Sequence, residues 1–139
     1  LTARALDTLA VRRAAERRTQ LDPALFTRGR KAVARGDIKA MIDADLAFHR
    51  ALYQAAQNPL IEQSALLHWH HIRRAMGEAL QTTALREPVW DEHEAIARAV
   101  AQGNAEEAAA LMRHHSDQAS AYLARQMSDA SAKNNSVVR

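Results

Sequence analysis

The sequence predicts an all-α fold, an antiparallel bundle of about six helices, and three observations carry that expectation. Its 139 residues include only four glycines and three prolines, while Ala, Leu, Arg, Glu and Gln abound and β-branched residues are few. Apolar positions recur at helical spacing in segment after segment. Between the segments stand paired stop and start residues, such as Gly36-Asp37 and Gly103-Asn104. A chain of this length with 47% apolar content can bury one core, and residues 1–127 read as a single domain.

The first helix is expected from Thr2 to about Gln20, with Leu6, Leu9, Ala10 and Ala14 as a modest apolar side. Asp22 and Pro23 supply a cap and a first-turn proline for a second helix, which runs to Arg35 before Gly36 can end it. Asp37 caps the third, where Ile38, Met41, Ile42, Phe48, Leu52, Tyr53 and Ala56 form one stripe. Asn58-Pro59 opens a fourth, to about Gln81. Its apolar positions, from Leu60 and Ile61 through Ala65, Leu67, Ile72, Ala75, Met76, Ala79 and Leu80, are interrupted by His68, Trp69, His70 and His71. Consecutive helical residues point about 100° apart, so His68 can share a face with His71 or Ile72 while His70 turns to solvent.

Thr82 to Pro88 reads as a loop. Trp90, His93, Ile96, Ala97 and Val100 then mark a fifth helix, and Asn104 with Glu107 forms a capping box for a sixth. The short turn predicts an antiparallel pair. The sixth helix carries Ala108, Leu111, Met112, His115, Ala119, Tyr122 and Leu123 on one face, with His114 off it. Residues 128–139 are polar, lack an apolar period and are expected to fray as a flexible tail.

The formal charge is +3 and the sequence pI about 9.8, but bases and acids are interleaved along the chain. The densest basic run, Arg12, Arg13, Arg17 and Arg18, has no interleaved aromatics and no DNA-reading motif, so it reads as a solvated face. The absence of cysteine excludes disulfides and thiolate metal sites. No apolar run approaches the roughly 20 residues of a membrane span, and the N-terminus lacks the apolar core of a signal peptide. A cytoplasmic location with no membrane partner is expected.

Asp45 and His49 fall inside the stripe of the third helix, one turn apart, where unpaired ionisable groups are costly. Taken alone, Asp45 could simply orient a core imidazole. His93 and His115 alter that reading: each sits in an apolar stripe, ten residues before and eleven after the Gly103-Asn104 turn, so they reach a similar height on one hairpin. If the third helix packs there, three imidazoles and a carboxylate converge in the interior. That donor set suits a divalent transition metal, zinc, nickel, iron or manganese, over calcium or magnesium.

The same residues carry a resemblance. Asp45-Leu-Ala-Phe-His49-Arg-Ala-Leu, Asn58-Pro-Leu, Glu92-His93-Glu-Ala-Ile96 with Ala99, Gly103-Asn-Ala-Glu-Glu-Ala108 and Met112-Arg-His-His115 resemble, in order and spacing, the FCD effector-binding domain. This is the C-terminal domain of the FadR branch of GntR-type transcriptional regulators. The likeness spans Gly36 to about Ser116, while Leu6-Asp7 stands where the family usually has Leu-Glu. The resemblance implies that Asp45, His49, His93 and His115 are the metal ligands, and among the metals that the donor set suits, zinc is the first choice. It further implies a small carboxylic acid effector and a homodimer. DNA would be bound only through an N-terminal winged helix-turn-helix, which is expected to lie outside this chain.

His68, His71 and Arg74 are candidates to orient such an effector. Two other readings stand beside the sensor: a metal-dependent bundle hydrolase and a metal-free structural dimerisation bundle. Glu92 and Glu94 flank His93 and are expected to point away from its face, which leaves no placed general base, so an enzyme is not expected.

Overall fold

The structure is a computed structural model that describes residues 3–81 and 86–137, apart from the side chains of residues 3, 79, 123, 126, 127, 130, 136 and 137. The first four residues of the expected loop, Thr82 to Arg86 exclusive, and the stripe positions Ala79 and Leu123 therefore lie outside the described residues or side chains. The described elements are all helical: α1 (Ala3–Glu16), α2 (Ala24–Arg35), α3 (Ile38–Ala55), α4 (Pro59–Ala79), α5 (Arg86–Ala101) and α6 (Ala105–Val137). None of the described helices is long and apolar enough to cross a membrane.

The joints follow the chemistry of their residues. Gly36 adopts φ 65°, and its N–H and that of Asp37 return to the carbonyls of Val33 and Ala32 at 3.0 and 3.2 Å, closing the end of α2. One residue later the Asp37 carboxylate accepts the Ala40 N–H at 3.1 Å and starts α3. Asn58 caps α4 through the Leu60 N–H, and Asn104 caps α6 through the Glu107 N–H, both at 3.1 Å. The expected capping box closes differently: the Glu107 carboxylate accepts from the Asn104 side-chain amide at 2.9 Å. The Asn104 backbone N–H is already committed to the Ala99 carbonyl.

Three boundaries differ from the sequence expectation. α1 stops at Glu16, because Arg18 turns left-handed (φ 50°) and the Thr19 N–H folds back to the Ala14 carbonyl. α5 starts at Arg86, within the expected loop, since Pro88 sits in its first turn, where a missing N–H breaks no helical bond. The stretch expected to fray from Ser128 is helical as far as Val137. Extending a helix already held by packing adds one bond per residue with no new nucleus to form, so a polar segment can continue it.

α1 packs against α3, α4, α5 and α6, α2 bridges α3 and α5, and α5 lies along α6. The core divides into two apolar clusters. The larger joins Val11, Phe48, Leu52, Trp90, Ile96, Val100 and Met112; the smaller joins Leu6, Ala10, Tyr53, Ile61, Ala65 and Trp69. α2 is held to α5 at the surface by Arg30, whose guanidinium meets Glu87, Asp91 and Glu94 at 2.9, 2.8 and 3.1 Å. Beneath that clamp, Trp90 lies directly on Gly29, where a Cβ would stand 2.0 Å from the indole.

Gly29 is interior to a helix, where Ala alone would gain about 1 kcal/mol from propensity. We expect the reverse sign. Gly29→Ala should cost about 2 kcal/mol in urea unfolding, in the range for overpacked cores. A variant more stable than its parent by about 1 kcal/mol would show that Trp90 yields without resistance.

Candidate functional site

The seam between the two apolar clusters holds the polar residues. α3 contributes Asp45 and His49, α5 contributes His93, and α6 contributes His115; the three histidines are buried, His93 completely. Their rings lie 5.0 to 5.9 Å apart between centroids, and one nitrogen from each falls within 4.8 Å of the other two. Asp45 Oδ1 stands 3.0 Å from His93 Nε2 and 3.4 Å from His49 Nε2. The four residues expected to converge are thus neighbours.

The cluster is poorly satisfied. Asp45 Oδ1, His49 Nδ1 and both ring nitrogens of His93 are buried without a hydrogen bond. The approach of Asp45 to His93 is close enough for electrostatic attraction but angled out of hydrogen-bond geometry. His93 has little room to correct this, because its ring stacks on Phe48 at 4.1 Å and meets Trp90 edge-on at 4.7 Å. A neutral imidazole buried with both nitrogens unmatched is costly unless something fills the space between them.

The charge states suit a cation. Burial opposes ionisation of Asp45, but the charges that His93 and His49 carry when protonated outweigh it and hold the carboxyl below the usual carboxylate range. Burial holds His93 down to about 4 against the pull of Asp45, so its imidazole is neutral near pH 7. His49, resisted by burial but drawn by Asp45, shifts upward. A carboxylate and neutral imidazoles are the forms that ligate metals, so a metal would compete with any proton on His49. The three histidines could therefore hold a metal ion, with Asp45 placed to join them.

Two carboxylates behind the histidines were not expected from the sequence. Glu92 does not point away: its carboxylate accepts a hydrogen bond from His115 Nδ1, leaving Nε2 as the nitrogen available to an ion. α5 and α6 are adjacent, and a glutamate one position off the inward face is long enough to span them. Glu94 turns to Arg30 as a surface ion pair. Asp7 on α1 is buried, accepts the Tyr53 hydroxyl, and lies 3.8 Å from His49 Nδ1. Burial, then Asp7, pushes the Tyr53 phenol upward, so it remains a donor; Trp69 Nε1 donates to the same oxygen at 3.2 Å. Asp7 was detectable, since it shares the α1 stripe with Leu6, Ala10, Val11 and Ala14.

Two cavities adjoin the cluster and both reach Asp45 and His115. One, about 190 Å³, is mostly apolar and includes Trp90, Glu92 and Arg86; the other, about 370 Å³, includes Arg4, Asp7, His49 and His68. Of the residues suggested to orient an effector, His68 lines the larger cavity from an exposed position. His71 and Arg74 are exposed and line neither cavity. The inward residues of α4 are Ile61, Ala65 and Trp69, so the face runs through the tryptophan between the histidines. His70 and His114 are exposed, as expected.

The family model of the FCD domain matches residues 2–118. The chain belongs to the FCD domain family. FCD domains are the C-terminal domains of GntR-family transcriptional regulators, an effector-binding regulatory module rather than a catalytic family. The match extends through α1, beyond the segment from Gly36 that carried the resemblance, and so takes in Asp7. No curated protein matches the chain.

The direction of the His93 shift sets a pH dependence. The unfolded imidazole takes up a proton near 6.5 and the folded one only near 4, so its contribution to stability is complete above about pH 6.5 and is lost as pH falls toward 4. The loss should be on the order of 3 kcal/mol. His49 acts oppositely, stabilising below its unfolded value. Urea unfolding of chelator-treated protein at stepped pH should show net acid destabilisation across this window that shrinks in His93→Gln. Identical pH profiles for the two proteins would refute the assignment.

Proposed function

We propose that this FCD domain is the effector-sensing part of a bacterial FadR-branch GntR-type regulator, acting in the cytoplasm as a homodimer. It binds a divalent transition metal and a small organic acid. Asp45, His49, His93 and His115 hold the metal, with zinc the best match to three imidazoles and a carboxylate. The observation that carries this reading is His93, wholly buried with both ring nitrogens unmatched beside an ionised carboxylate. A bound metal supplies positive charge and an electrophilic site for an anionic oxygen.

The chain's own residues do the rest. Glu92 fixes the His115 ring and its tautomer, Asp7 faces the outer nitrogen of His49, and Phe48 with Trp90 holds His93 in place. The adjoining cavities provide space for the acid, with His68 at the wall of the larger one. The effector would regulate DNA binding by favouring one arrangement of a winged helix-turn-helix attached N-terminally. Glu92 is already engaged by His115, which counts against its use as a general base and against the hydrolase alternative.

Elemental analysis of dialysed protein should give near-stoichiometric transition metal. His93→Ala or His115→Ala should lose it and lose the melting-temperature drop produced by chelator, whereas His70→Ala and His114→Ala should retain both. Metal retained equally by all four variants, or absent from the parent after supplementation, would overturn the site.

A further inference from the structure

The smaller cavity has a composition that narrows the ligand. Its wall is mostly apolar, with Val33, Met41, Leu80, Val89 and Trp90 among the lining residues, and it reaches Asp45, Glu92 and His115. Arg86 is the cation among its lining residues. The Arg86 Nε donates to the Leu80 carbonyl at 2.9 Å, which steadies the half-buried guanidinium. No carboxylate among the described residues forms an ion pair with it. A steadied, unpaired guanidinium at an apolar wall is a receptor for a planar anion.

We propose that this cavity binds a monocarboxylate with a compact apolar body, its carboxylate on Arg86 and its body against Val33, Met41, Val89 and Trp90. This rests on the sensing reading and names the effector class for it. Size agrees: an apolar cavity of about 150 Å³ accepts benzene, and this one measures about 190 Å³. A second carboxylate would face the apolar wall or the carboxyls of Asp45 and Glu92, with no second arginine or lysine in the lining to receive it. Such polar acids find better company in the larger cavity, among Arg4, His68, Ser116 and Ser120.

The test is calorimetric titration of the 139-residue chain with phenylacetate and isovalerate, against glycolate and succinate, with metal content measured alongside. Phenylacetate should bind at least about tenfold more tightly than succinate. Arg86→Gln should weaken phenylacetate by about tenfold or more, and Arg86→Lys should restore part of that loss. Val89→Phe should also weaken it by filling the space, with circular dichroism confirming that each variant is folded.

Tighter binding of glycolate or succinate, or phenylacetate binding indifferent to both Arg86→Gln and Val89→Phe, overturns the inference. Polar acids that depend on His68 instead of Arg86 would overturn it and leave the sensing reading intact. Arg86-dependent phenylacetate binding by a chain without metal supports the inference and removes the metal from the sensing reading. Failure of every acid to bind overturns both.

Discussion

The structure depends on an unbalanced polar seam between two apolar clusters. Asp45 is ionised in the interior and His93 is neutral beside it, yet the two do not align into a hydrogen bond. Helices α3, α5 and α6 must all pack close enough to enclose these groups and bury the three histidines, so the unmatched atoms are sealed from water by the same side chains that stabilise the bundle. Burying such a set without partners works against folding. An interior that tolerates it is arranged for something other than stability alone.

The rest of the architecture reads as support for that seam. α1 crosses four other helices and brings Asp7 to the outer side of His49, while the Tyr53 hydroxyl and the Trp69 indole extend the network into the smaller apolar cluster. α2 contributes little to the cluster directly, but it carries Gly29 under Trp90 and Arg30 over the outer face of α5. α4 closes the opposite side with Trp69, whose ring lies 5.0 Å from that of His49. Membership of the FCD family gives this arrangement a regulatory context, and the seam gives it a chemical one.

Much of this was legible in the sequence because it rests on local rules. Gly36, Asp37, Asn58 and Asn104 punctuate the helices through their own hydrogen bonds, and helical spacing placed Asp45, His49, His93 and His115 on inward faces. What escaped depended on tertiary packing or on side-chain length. Four consecutive aromatic residues on α4 gave no decisive phase, and the inward position fell to Trp69. Glu92 lies off the stripe, and only the adjacency of α6 reveals that its carboxylate meets His115. The early end of α1 turns on a left-handed arginine, a residue type that carries no such signal.

The grip on His93 has a consequence for selectivity. With Phe48 stacked on one side, Trp90 set against it and Gly29 leaving the indole little retreat, the imidazole has surrendered its rotational freedom during folding. His115 is similarly tied by Glu92. Whatever enters the seam meets donors that are already oriented and pays little to order them. Such a frame discriminates by shape, turning away guests whose preferred geometry would require the rings to swing.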